Sequence, residues 1–201
     1  MTFSLNEVEA MAKKATRGAG YPWGLAEEAS KATRWLCAQG IDGVAVLARV
    51  LARRQGCAAK GMEDCLPCAD CPIGMGLALS DEAAQLVSTP KSFEAAPVPV
   101  FLLPFAAMAA RRLGTTVMVR GDGFEAVTNG ARLSLRGAVP VAAAVQVMAG
   151  GELGDVAALA TRATPDPEAW DMLSALAHRT YAPATEESRL LGAGAGTTDN
   201  D

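Results

Sequence analysis

Three cysteines in the run Cys65-Leu66-Pro67-Cys68-Ala69-Asp70-Cys71, with a fourth at Cys57, are the residues whose type and spacing speak most directly of chemistry. Two overlapping C-x-x-C steps crowd thiols into one short loop, as soft-metal sites require. Four thiolates at Cys57, Cys65, Cys68 and Cys71 would complete a tetrahedral zinc site, with Pro67 and Asp70 suited to the tight turns between ligands. Such a site would stabilise a loop that lacks a core of its own. A [4Fe–4S] cluster is the competing cofactor: the C-x-x-C-x-x-C run is present, but a proline follows the third cysteine, Cys71, rather than a remote fourth. The alternative is a set of thiols in an alanine-rich loop with no metal. Arg53, Arg54 and Lys60 flank Cys57 and would lower its pKa if they stay near it in space, which gives a redox reading its one support.

A second constellation lies near the start. Lys13, Lys14 and Arg17 precede the glycine-rich turn Gly18-Ala19-Gly20-Tyr21-Pro22-Trp23-Gly24, and Glu27 and Glu28 follow in the first turn of the next helix. Backbone N–H groups at a helix start with cations beside them make an anion pocket. Trp23 stands where a dinucleotide fingerprint would have its third glycine, and no strand precedes, so that motif is excluded. The plainer reading is a tight turn between helices with Trp23 packed as a lid. His178 is the single histidine of the chain, so any scheme that needs an imidazole must use it; dipole stabilisation at a helix end also explains it. Arg120, Arg132 and Arg136 read as the solvated face of a half-buried sheet.

These residues must be positioned by a fold of ordinary size. The chain has 201 residues, of which 50% are hydrophobic and 20% charged, enough for one globular core. Aromatics are only 5% and alanine is abundant, so helices should pack closely through small side chains. A net charge of −4 argues against a nucleic-acid binder. No secretory signal is read at the N-terminus, and the apolar stretch 97–110 is too short and too interrupted by prolines to span a bilayer. An odd set of five cysteines suits a reducing cytoplasm better than a disulfide framework.

Along the chain, Ser4 with Glu7 forms a capping box for a first helix, and Phe3 with Val8 fits a hydrophobic staple. Helices are expected over residues 25–39 and from Asp42 to Gly56, with Pro104 opening another that ends at Gly114. Residues 75–87 are ambiguous, residues 90–99 read as a linker, and residues 140–148 fit either a strand or a buried helix. At about residues 115–136 the period falls to two. Asp122-Gly123 and Asn129-Gly130 separate three segments that predict an antiparallel meander. Two-residue turns would pair Val119 with Ala126, Ala126 with Leu133, Phe124 with Leu135, and Arg120 with Glu125. Asp166-Pro167 opens a last helix, and residues 192–201 read as a flexible, acidic Gly/Ala-rich tail after a single globular domain over 1–191.

Arg17 to Glu28 and Arg179 to Glu186, with the tail ending Asp199-Asn200-Asp201, resemble a family of uncharacterised bacterial proteins, mostly alphaproteobacterial, known as a domain of unknown function. The resemblance extends over nearly the whole chain. It implies one bacterial cytoplasmic domain and brings no activity with it. The expectation is therefore an α+β domain with three competing functions. The first is a small-molecule or protein-binding accessory module of metabolism, whose ligand, a small anionic metabolite, meets Arg17, Gly18, Gly20, Trp23, Glu28 and Tyr181. The second is a zinc metalloprotein, and the third a small enzyme using Arg17, Glu28 and His178 in one anion pocket.

Overall fold

The computed structural model describes residues 1–58, without the side chains of 54–58, and residues 71–181. It is an α+β fold in which a layer of helices leads into an antiparallel sheet.

Helix α1 (Leu5–Gly18) starts where the sequence places it. Ser4 Oγ accepts from the Glu7 N–H at 3.2 Å, and Glu7 Oε2 accepts from the Ser4 N–H at 2.7 Å. These two bonds satisfy donors that a bare helix end leaves open. Val8, Ala12 and Ala15 carry no exposed surface and form the stripe that packs on α2 (Trp23–Ala38). Ala26, Ala29 and Leu36 answer from α2, so two small-residue faces let the backbones come close. Helix α3 (Gly43–Ala58) adds Val44, Leu47 and Leu51. Asp42 holds two elements at once: its Oδ1 accepts from the Ala45 N–H of α3 at 3.0 Å and its Oδ2 from the Asp166 N–H at 2.8 Å. Asp166 in turn caps α6 (Pro167–His178) through the Ala169 N–H at 2.9 Å.

Helices α1 and α6 run in the same direction. At their starts the rings of Phe3 and Trp170 stack at 3.7 Å and 13°. At their ends Gly18 meets α6 so closely that a Cβ placed on it would lie 1.8 Å from the Leu176 carbonyl oxygen. Only glycine fits that approach.

The ambiguous segment 75–87 begins as α4 (Pro72–Asp81) and continues as a 3-10 turn over Ala83–Val87. α4 lies against α5 (Leu103–Leu113), which is buried from Leu103 to Ala107 and at Ala109 and Ala110 and packs on β3 (Val117–Gly121) and β4 (Phe124–Thr128) of the sheet.

The sheet has five strands rather than the expected three, in the order β2-β6-β3-β4-β5. β3 (Val117–Gly121), β4 (Phe124–Thr128) and β5 (Leu133–Gly137) form the meander; β6 (Ala142–Ala149) returns beside β3, and β2 (Lys91–Pro97) closes the far edge. Residues 90–99 are thus an edge strand for the most part, not a linker. An edge position tolerates the missing N–H of proline, which is why Pro97 does not forbid it. After it Val98 takes a left-handed backbone (φ 50°, ψ 58°), an uncommon choice for a β-branched residue that costs about 1–3 kcal/mol. Its N–H donates to the Val141 carbonyl at 2.8 Å and its side chain is buried.

In the first hairpin Val119 pairs with Ala126 and Arg120 with Glu125, as expected, and the guanidinium of Arg120 donates to Glu125 Oε2 at 2.7 Å. In the second hairpin the register is displaced by two residues: Ala126 faces Leu135 and Phe124 faces Gly137. The turn spans residues 129–132 instead of the two residues Asn129-Gly130, because Asn129 Oδ1 accepts from the N–H groups of both Ala131 and Arg132, at 3.0 and 2.8 Å. Thr128 Oγ1 completes the loop, donating to the Arg132 carbonyl at 2.8 Å. A shift of two keeps each side chain on its original face, so Leu133 and Leu135 remain on the side of Ala126. From β6 a strap over residues 150–161 crosses back. Its anchors are Thr116 Oγ1 to the Gly151 carbonyl, 2.8 Å, and the Ala160 N–H to the Ala38 carbonyl, 2.9 Å. β7 (Arg162–Ala163) then pairs with β1 (Phe3–Ser4) and delivers the chain to α6.

Two consequences are measurable by chemical denaturation. Gly18→Ala would favour an isolated helix, yet the backbone clash makes it destabilising by about 2–3 kcal/mol, the scale of an overpacked core. Ser4→Ala costs about 1 kcal/mol through the lost cap. The hydrogen bonds from the Ser4 backbone and then its side chain hold the Glu7 carboxyl below its ordinary range. A lowered carboxyl contributes above that range, and its contribution is lost as pH falls through the folded value. Glu7→Gln is therefore expected to flatten the acid limb of the stability profile.

Candidate functional site

Parallel packing of α1 and α6 leaves a groove between them. Phe3, just ahead of α1, and Glu7, Ala10, Met11 and Lys14 at helical spacing along it line one side, and from α6 Trp170, Ser174, Ala177 and His178 line the other. The cavity is about 290 Å³, at the small end of the range for ligand clefts. Its two ends differ in character. One is walled by the Phe3–Trp170 stack. At the other, Lys14 Nζ donates to Tyr181 Oη at 3.3 Å, and the His178 ring meets that of Tyr181 edge-on at 5.4 Å. Glu7 and Ser174 also stand in the walls, Glu7 bound to the Ser4 backbone, while Lys14, His178 and Tyr181 gather at one end. An apolar trough ending in an ammonium, an imidazole and a phenol is complementary to a molecule with an apolar body and an anionic head.

The residues expected to share a pocket are divided by the structure. Arg17 and Trp23 do come together: the guanidinium carbon lies 4.7 Å from the centre of the indole ring, with Lys13 Nζ at 5.9 Å. Arg17 also donates to the Tyr21 carbonyl, which closes the turn. Gly20 provides the positive φ of 92° that the turn needs, and Gly18 belongs to the contact between α1 and α6. Tyr181 sits on Lys14, the residue next to Lys13, and lines the groove. Glu28 stands apart on α2, 2.9 Å from Lys31 Nζ, whose pKa that hydrogen bond raises. Phe3, Met11, Trp170 and Ser174 had no place in the expected site. Their periodic spacing was visible along each helix, but nothing in the sequence said that the first and last helices are partners.

Of the cysteines, Cys65 and Cys68 lie outside the described residues, as does the side chain of Cys57. Cys71 is buried at the cap position of α4, with its Sγ 3.5 Å from Tyr21 Oη. Cys37 is buried against the start of α3, and burial pushes its thiol pKa up, which makes it a poor nucleophile. Among the described residues no three His, Cys, Asp or Glu side chains come together as a metal site.

If the turn at residues 18–24 is held by Arg17 rather than by Glu28, the two substitutions separate. Arg17→Ala is expected to lower stability by about 1–2 kcal/mol, since it removes a charged donor from the Tyr21 carbonyl and the stack on Trp23. Glu28→Gln should stay within about 0.5 kcal/mol, as partly exposed ion pairs do.

No curated protein and no solved structure matches this chain. Residues 3–65 match the model of a family described as a protein of unknown function (DUF3726), which covers α1, α2 and α3 and stops short of the C-terminal stretch that carried the rest of the resemblance.

Proposed function

We propose that the protein is a binding module that takes a small amphipathic anion into the groove between α1 and α6. The observation that carries this reading is the polarity of that groove: stacked Phe3 and Trp170 at one end, Lys14 with Tyr181 and His178 at the other. An apolar body of modest size would be desolvated between Met11, Ala177 and the indole, while its carboxylate, sulfonate or phosphate would replace water at Lys14. The enzyme reading has weaker support, because Arg17 stacks on Trp23 and Glu28 pairs with Lys31, which leaves His178 as the one member of that set lining the groove. No helix among the described residues is long and apolar enough to cross a membrane.

A second reading keeps the cysteine loop as a zinc site, or less favourably a [4Fe–4S] site, on Cys57, Cys65, Cys68 and Cys71. It is favoured by one contact: the Tyr21 hydroxyl lies within reach of the Cys71 sulfur, where it could donate to a metal-bound thiolate.

The first reading is tested with 8-anilinonaphthalene-1-sulfonate, an aromatic anion whose emission rises in apolar sites. The protein should bind it saturably, Lys14→Gln should weaken binding about tenfold, and Ala10→Phe, which fills the groove from an exposed helix position, should abolish it. Unchanged titration of the Ala10→Phe protein would refute the proposal. For the second reading, protein purified anaerobically should retain one zinc per chain and lose it on Cys65→Ser; brown colour would mean a cluster instead, and no metal would end the reading.

A further inference from the structure

The surface around Trp23 stands outside the groove. Trp23 opens α2 with 61% of its surface exposed, far more than an indole that served as a lid would show. It is held in place by the cations above it, Lys13 and Arg17. Arg179 reaches the same end of α1: its Cβ lies 3.5 Å from the position a side chain on Gly18 would take.

An exposed indole bordered by cations is what marks this place. The chain carries more carboxylates than cations, and Lys31, Arg34, Lys91, Arg112 and Arg120 each have a carboxylate within 4.0 Å. Among the described residues no carboxylate lies within that distance of Lys13, Arg17 or Arg179. Arg17 in the last turn of α1 and Arg179 at the end of α6 lie where the helix dipoles stabilise positive charge, and Lys13 precedes Arg17 by one turn. An exposed indole fixed between cations has already lost most of its rotamer freedom, so burying it against a partner costs little entropy. Trp and Arg are also the residues that dominate the energetics of protein interfaces. Arg17 has five N–H donors, and the Tyr21 carbonyl takes one, which leaves a fork able to grip a carboxylate.

We infer that this surface docks an acidic peptide segment of a partner protein, with its carboxylates on Lys13, Arg17 and Arg179 and an apolar side chain on the face of Trp23. A nucleic acid fits less well, because a single indole and three cations do not make the continuous basic track that a phosphate backbone follows, and the rest of the molecule is acidic. An anionic bilayer fits less well because one indole is no apolar face.

The experiment is fluorescence anisotropy with a fluorescein-labelled peptide of alternating Glu and Leu, measured against its Gln/Leu counterpart, oligo(dT) and phosphatidylglycerol vesicles. The acidic peptide should bind in preference to all three. The double substitution Lys13→Glu/Arg17→Glu and the single Trp23→Ala should each weaken it by about tenfold or more. Ala10→Phe should leave it unchanged, and Trp23→Ala should still bind the anilinonaphthalene probe, so failure here and failure of the groove reading are separable. Equal binding of the Gln/Leu peptide, tighter binding of oligo(dT) or vesicles, or affinity that survives Trp23→Ala would each overturn the inference. Retained circular dichroism guards the variants against unfolding.

Discussion

The molecule rests on one close approach, the backbone of Gly18 against the carbonyl of Leu176. With no side chain between them, α1 and α6 converge at their carboxyl ends, while the stacked rings of Phe3 and Trp170 hold them further apart at their amino ends. A contact that is tight at one end and spaced by aromatics at the other leaves a wedge-shaped trough. That geometry follows from side-chain size alone. It also decides which residues can converge, since Lys14 and Tyr181 meet just before the point of contact.

The sheet enters this arrangement as a brace. The Gly130 carbonyl accepts from Trp35 Nε1 at 3.2 Å and from Arg111 at 2.6 Å, so one loop of the meander is tied to α2 and α5 together. Those bonds need a loop long enough to reach, and the four residues 129–132 supply it where a two-residue turn would not. Alanine-rich helices give few large side chains for anchoring, and polar side chains reaching carbonyl groups make part of the junction, Gln39 donating to the Ala131 carbonyl at 3.0 Å. At the buried Gly130 such bonds satisfy an acceptor that would otherwise be left dry.

What could be read from the residues was whatever depends on neighbours in the chain. The capping box at Ser4, the stop at Gly114, the first hairpin and the pairing of Arg120 with Glu125 are all short-range, and all are found. Errors arose where a distant partner decides. Residues 91–97 have no strand pattern strong enough to outweigh Pro97 and the flanking Pro90 and Pro99; β6 makes them a strand by offering an edge. The second turn followed the side chain of Asn129 rather than the dipeptide rule. For the candidate site, the cations and Trp23 were legible because cationic and aromatic residues cluster locally. Phe3 and Trp170 were not, since their meaning lies in a contact between the two ends of the described chain.

That same pairing has a bearing on how the protein comes to be made. α1 leaves the ribosome before its partner α6, which is not available until residue 178 has been synthesised. At ordinary elongation rates the delay is on the order of ten seconds. Throughout that interval the nascent N-terminal helices can bury one side of α1 against α2 while its other flank stays uncovered, an opening for chaperones on the growing polypeptide.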